Sequence, residues 1–148
     1  MQTNDLYSIF LRYPSVTTDS RMCEKDSIFF ALRGERFNGN LFAEKALEAG
    51  CAYAVVDEWP EGIPLGERII LVEDVLGTLQ QLATCHRRKL KIPVIAITGT
   101  NGKTTTKELI AVGLGQKFKV AYTQGNFNNH IGVPLTLLSM NQSHEIAV

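Results

Sequence analysis

Cysteine is scarce in this sequence: three residues of 148, at positions 23, 51 and 85. An odd number at wide spacing excludes the disulfide framework of a small secreted domain, and it lacks the paired spacing of a zinc site. Such thiols fit a reducing compartment. Long apolar runs are absent too, since none approaches the ~18 residues a membrane span needs. Met1–Asp5 carries neither the basic segment nor the apolar core of a signal peptide, so the expected location is cytoplasmic. Net charge is also lacking: Lys plus Arg is 15 and Asp plus Glu is 15. A zero balance leaves no electrostatic footprint for nucleic acid or an anionic membrane, and neither is expected as a partner. Repeats and low-complexity segments are missing. What remains is an ordinary globular composition, with 45% hydrophobic and 20% charged residues, which argues against intrinsic disorder. The length suits one full domain and falls a little short of two.

Helical and strand-like segments alternate along the chain, which predicts an α/β fold. Leu6, Ile9, Phe10 and Tyr13 lie at helical spacing ahead of Pro14. Ser27–Leu32 is a dense apolar run of strand length, and 33–39 follows it as a polar loop. Phe42, Ala43, Ala46 and Leu47 predict a helix closed by Gly50. Tyr53–Val56 and Ile69–Val72 predict strands on either side of a loop over Trp59–Gly66. Val75, Leu76, Leu79, Leu82, Ala83, His86 and Leu90 form one stripe of a helix from about Asp74 to Lys89. Its basic end, 86–89, reads as a solvated terminus on the negative pole of the helix dipole rather than a phosphate contact. Lys91-Ile92-Pro93 breaks the chain. A domain boundary is expected between about Leu82 and Pro93, dividing residues 1–85 from 86–148.

The second unit begins with a β-branched strand, Val94–Ile97, and runs through Thr98-Gly99-Thr100-Asn101-Gly102-Lys103-Thr104-Thr105 into a helix bearing Leu109, Ile110 and Leu114. Strand, glycine loop, Lys-Thr and helix together form a phosphate-binding arrangement. Gly99 and Gly102 let main-chain N–H groups close around an anion, and the helix start adds unpaired amides and the positive dipole end. Lys103 supplies a charge for the β- and γ-phosphates, and the Thr104 hydroxyl is placed to hold Mg²⁺. The spacing is shorter than the common motif, with two residues instead of four between Gly99 and the Gly102-Lys103 pair. Strands follow at Val120–Tyr122 and at Glu145–Val148. One or two strand–helix units cannot cover both faces of a parallel sheet, so this unit is expected to be truncated.

The loop from Thr98 to Thr105 resembles the shortened phosphate loop of the Mur ligases and folylpolyglutamate synthetases, which join an amine to a carboxylate at the expense of ATP. Four further stretches resemble the Mur ligases specifically: Thr18-Asp19-Ser20-Arg21, the run from Ile28 to Gly39, Ala49-Gly50-Cys51-Ala52, and the run from Thr123 to Leu138. The Asn-rich and Gly-Glu-Arg-Phe-Asn-Gly segments point to the branch that adds D-Ala-D-Ala. The resemblance implies an N-terminal α/β domain for the uridine nucleotide, then the start of a Rossmann-like, P-loop ATPase domain with a parallel sheet. The implied cofactors are ATP and Mg²⁺, and the implied substrates are UDP-N-acetylmuramoyl-tripeptide and D-Ala-D-Ala. Coupling would run through an acyl phosphate, in a monomer, for peptidoglycan precursor synthesis. The family's downstream magnesium ligand, histidine and modified lysine would lie beyond Val148, so the chain alone is expected to be inactive.

Carried onto this sequence, the nucleotide set is Gly99, Thr100, Asn101, Gly102, Lys103, Thr104 and Thr105, with Lys103 and Thr104 catalytic. Asn126 and Asn129 join it if their amides reach the γ-phosphate and metal from the carboxyl end of a strand. The alternative for these residues, and for Asn128, is a turn in which Asn bonds its own main chain. His130 reads as structural. Ser20 and Arg21 would meet the uridine diphosphate, because the planar fork of Arg suits a diphosphate. Arg36 and Asn38 would lie in a loop beside the sugar nucleotide. Two alternatives stay open: a sibling ligase adding the third amino acid or a folylpolyglutamate synthetase, and a non-catalytic uridine-nucleotide-binding module.

Overall fold

A computed structural model describes residues 3–59, 68–125 and 127–148. Most of the expected loop over Trp59–Gly66, and Asn126, lie outside the described residues. The first unit comprises α1 (Thr3–Arg12), β1 (Ser15–Thr17), β2 (Ser27–Phe30), β3 (Arg33–Gly34), β4 (Phe37–Asn38), α2 (Ala43–Glu48), β5 (Tyr53–Val56), β6 (Ile69–Leu71) and α3 (Val75–Lys89). Four strands form one parallel sheet in the order β1-β2-β5-β6, with Ser15 opposite Ser27, Ile28 opposite Tyr53 and Ala54 opposite Ile69. The α/β expectation is met.

Side chains alternate across a strand, so β2 serves two cores. Ile28 and Phe30 face α1 and α3, packing with Leu6, Phe10, Val55, Leu79 and Leu82. Phe29 and Ala31 face α2, packing with Ala43, Ala46, Ala54 and Val56. All four β2 residues are buried. Cover on both faces is why this strand reads as an unbroken apolar run and not as an alternating one. The three cysteines are free thiols. Burial first, and then a hydrogen bond with Cys51, push the Cys23 thiol up to about 12, which keeps it protonated and chemically inert.

The segment 33–39, expected as a loop, is a small antiparallel hairpin in which Arg33 pairs with Asn38 and Gly34 with Phe37. It folds tightly back on β2: Gly39 N donates to Leu32 O at 2.9 Å. A Cβ on Gly39 would lie 2.5 Å from that same oxygen, so only glycine fits this closure.

The second unit comprises α4 (Lys103–Gly115), β7 (Val120–Ala121), α5 (Gly132–Ser139) and β8 (Ile146–Ala147). β7 and β8 pair in parallel. The expected strand Val94–Ile97 is reduced to one parallel bridge, Val94 to Ala147, supported by Ile95 N donating to Ala147 O at 2.8 Å. One side of α4 is uncovered, and Leu109 and Val112 are 69% and 65% exposed. α5 packs instead on the first unit. Leu138 joins the α1–α3 core, with Ile131, Leu135 and Leu137 against it.

Candidate nucleotide site

The glycine loop takes the backbone its residues predict. Gly99 has φ +145° and Gly102 φ +78°, conformations that an L side chain strains to adopt. Nothing lies within 4 Å of where a Gly102 Cβ would stand, so the conformation rather than crowding calls for glycine there. Gly102 precedes α4 directly, and the first bond of the helical ladder runs from Thr106 N to Gly102 O at 2.9 Å. The amides of Lys103, Thr104 and Thr105 come before that ladder and point out of the helix start, with the positive end of the dipole behind them. Gly99, Thr100, Asn101, Gly102, Thr104 and Thr105 are exposed, while Lys103 is half-buried. The Lys103 ammonium folds over the loop and donates to Gly99 O at 2.5 Å. A cradle of outward amides crossed by one ammonium has the right chemistry for a phosphate chain.

Beside this loop lies a cleft of about 300 Å³, lined among others by Ile97, Lys103, Thr104, Thr123, Gly125 and Asn128. It brings the phosphate loop to the segment that follows β7. Asn129 points its carbonyl oxygen at the start of α5, where Oδ1 accepts from Ile131 N at 3.1 Å and Gly132 N at 2.7 Å. That bonding is the turn geometry raised as one of its two readings. His130 is exposed, and its main-chain oxygen accepts from Gln80 Nε2 at 3.1 Å.

One residue that sequence reasoning passed over joins the two walls of the cleft. Lys107 lies one helical turn beyond Lys103 on the same face of α4 and is 7% exposed. Its Nζ donates to Thr123 O at 2.5 Å and Gly125 O at 2.9 Å, and stands 3.0 Å from Glu108 Oε1. The i, i+4 spacing of the two lysines was the available signal.

The other candidates follow neighbouring strands of the parallel sheet and so share its carboxyl edge, where ligands of α/β proteins bind. Ser20 and Arg21 follow β1, while Arg36 and Asn38 lie in the hairpin after β2. Arg21 Nη2 donates to Asp19 Oδ2 at 2.7 Å, and its Nε donates to Oδ1 at 2.9 Å. That side-chain hydrogen bonding lowers the Asp19 carboxyl to about 2, from an ordinary 3.8. A lowered folded value means the pair is fully present above the ordinary value and is lost as pH falls through about 2. We expect a carboxyl-carbon NMR titration of Asp19 to hold flat from pH 7 to 4 and to move only near its lowered midpoint. A midpoint at the ordinary value would break the pair.

Asn38 is committed to structure: its Oδ1 accepts from Asn40 N at 3.0 Å and Asn40 Nδ2 at 2.9 Å. The buried Asn40 donates onward to Asp57 Oδ1 at 2.7 Å, and Arg33 Nε reaches the same oxygen at 2.8 Å. This network pins the hairpin to the end of β5 and leaves Arg36 exposed at the tip. An open cavity of about 620 Å³ at the same edge is lined by Asp57, Glu73 and Asp74 among others. Three carboxylates there repel phosphate. Among the described residues, no three His, Cys, Asp or Glu side chains cluster to hold a metal. The exposed Thr104 hydroxyl, at the helix start, is the loop's own candidate ligand.

Fold and loop together define a class: an α/β protein with a parallel sheet, whose second unit opens with a glycine loop feeding a helix N-terminus. Two family models match the chain, the Mur ligase family catalytic domain over residues 12–87 and the Mur ligase middle domain over 97–148. The chain belongs to the Mur ligase family. It is 49% identical over 133 residues to the UDP-N-acetylmuramoyl-tripeptide–D-alanyl-D-alanine ligase of Bacillus subtilis (strain 168), covering 90% of this chain and 29% of that protein. Among solved structures, it superposes on MurF from Acinetobacter baumannii with TM-score 0.79 and 36% identity, over 90% of this chain and 29% of that one. MurF ligase from Thermotoga maritima, in complex with ADP, gives TM-score 0.78 and 32% identity over 93% of this chain and 31% of that one. The chain thus spans about 30% of the length of the relatives it matches.

Proposed function

We propose that this chain supplies the substrate-holding first unit and the phosphate loop of an ATP-dependent ligase that adds D-Ala-D-Ala to UDP-N-acetylmuramoyl-tripeptide. The reading rests on one observation above all: outward amides from Gly102 to Thr105, with the Lys103 ammonium folded across them, at the mouth of a cleft. The Bacillus subtilis relative carries this activity in its name, and the ADP in the Thermotoga protein fits a loop of this form. The division into units 1–85 and 86–148, a monomeric state and a cytoplasmic location belong to the same proposal.

A carboxylate at neutral pH is a poor electrophile, and ATP supplies the phosphoryl group that activates it. This chain's residues position and neutralise. Amides of 102–105 hold phosphate oxygens, Lys103 balances charge gathering on the transferred group, and Thr104 offers its hydroxyl to Mg²⁺. Asn128 lines the cleft from the segment after β7, and Asn126 and Asn129 belong to the same proposal as amides for the γ-phosphate and metal. Arg21, with Ser20 and Arg36, holds the diphosphate of the sugar nucleotide along the sheet edge. Asn38 shapes that site through Asn40.

The test is phosphate release by the intact ligase with Mg-ATP, given UDP-N-acetylmuramoyl-tripeptide with D-Ala-D-Ala and, separately, UDP-N-acetylmuramoyl-dipeptide with meso-diaminopimelate or lysine. Release only with D-Ala-D-Ala is expected. Release driven by either amino acid, or binding of the uridine nucleotide with no response to ATP, would overturn the assignment.

A further inference from the structure

Lys107 is a buried ammonium that the proposed chemistry does not use. Two of its N–H groups are taken, by Thr123 O at 2.5 Å and Gly125 O at 2.9 Å, and Glu108 Oε1 stands 3.0 Å away as an ion-pair partner. A buried ammonium already bonded to two carbonyls and paired with a carboxylate is held away from phosphate, which separates it from Lys103, half-buried and facing the loop. Two of its acceptors are main-chain carbonyls two residues apart, immediately ahead of the Asn-rich turn. The Tyr122 ring, 5.8 Å below the ammonium, closes it in further. Gly125, with φ +52°, has nothing within 4 Å of where its Cβ would lie, so crowding does not fix the turn there. Other fixed points of the segment are Phe127 N to Gln124 O at 3.3 Å and the Asn129 bonds to α5.

We infer that Lys107 is a positioning residue: it clamps the carbonyls of Thr123 and Gly125 to α4, and so sets where Asn128 and Asn129 stand relative to the phosphate loop. The inference rests on the nucleotide reading given above. Lys103 and Lys107 then divide the work of one helix face. The first meets the phosphate chain, and the second holds the wall whose Asn amides the nucleotide reading assigns to the γ-phosphate. Loss of the clamp should therefore weaken a triphosphate much more than a diphosphate, which has no γ-phosphate for that wall to meet.

The measurement is calorimetric titration of the intact protein with magnesium AMP-PNP and with magnesium ADP, for the unsubstituted protein and Lys107→Met. Methionine keeps most of the volume and removes the donors. AMP-PNP binding is expected to weaken about tenfold, the scale of one lost hydrogen bond to a charged group, with ADP binding changed less than about threefold. The melting temperature without nucleotide should stay within a few degrees. Equal weakening of both nucleotides with a lowered melting temperature would mean a merely structural lysine and overturn the inference, as would an unchanged preference for AMP-PNP. If Lys107→Met does not fold, Lys107→Arg is read in the same way. Its guanidinium can still donate to both carbonyls, but its longer, planar head holds them farther from α4 and shifts the wall, so a preserved triphosphate preference there is the overturning result. An unsubstituted protein that takes up neither nucleotide removes the nucleotide reading and this inference together, whereas intact binding with no effect of substitution removes this inference alone.

Discussion

Lys103→Ala in the intact ligase is expected to lower turnover by about 10²–10³ or more, the loss typical of removing one group that stabilises transition-state charge. The fold should survive. The ammonium makes its described contact with Gly99 O and otherwise faces the open cleft, so no buried partner is orphaned. Surface changes of that kind usually move stability by under about 0.5 kcal/mol. Lys103→Arg is the sharper probe. A guanidinium keeps the charge, but it is broad and planar where the loop closes on a compact ammonium, so most of the loss should persist. Steady-state phosphate release beside a thermal melt separates the two quantities. Turnover retained in Lys103→Ala would remove the phosphate loop from the chemistry.

That loop was legible because its signal is local. Gly99, Gly102 and Lys103 lie within five residues, and their positive φ values and helix-start amides need no distant partner. β2 and β5 were legible for another reason: burial on both faces leaves an apolar run that composition alone reveals. The hairpin at 33–38 was not, because two-residue strands carry no period to detect. Val94–Ile97 shows the converse. Its β-branched residues predict a strand, yet strand pairing is non-local, and a single bridge joins it, Val94 to Ala147. For Lys107 the spacing from Lys103 was visible but the clamp was not, since its acceptors are main-chain carbonyls 16 and 18 residues away, and every residue has one. Asn38 shows a candidate site residue occupied in part by structure: its side-chain oxygen caps the turn that carries Asn40.

His86 is where the two units meet, and its removal carries the largest expected cost in stability. The stripe on α3 identifies it as a core position, and it is 6% exposed. Its partners lie far off in sequence. Nε2 stands 2.8 Å from Met140 O at the end of α5, and Nδ1 3.2 Å from the Tyr7 hydroxyl on α1. A carbonyl only accepts, so Nε2 carries the proton, and in the neutral ring Nδ1 accepts from Tyr7. The ring also meets Phe10 edge-on at 4.9 Å. His86→Ala would strand the Met140 carbonyl and the Tyr7 hydroxyl, at about 1–3 kcal/mol each, and open a cavity between α1, α3 and α5. A total near 3–4 kcal/mol corresponds to a melting temperature lower by about 10 °C for a chain of this size. Tyr7→Phe should cost about 1 kcal/mol alone and almost nothing on top of His86→Ala, because the bond it removes is already gone. Additive losses in that cycle would mean that the two side chains do not share a bond. A His86→Ala melt within a degree or two of the unsubstituted protein would mean that α5 is held to the first unit by its leucines alone.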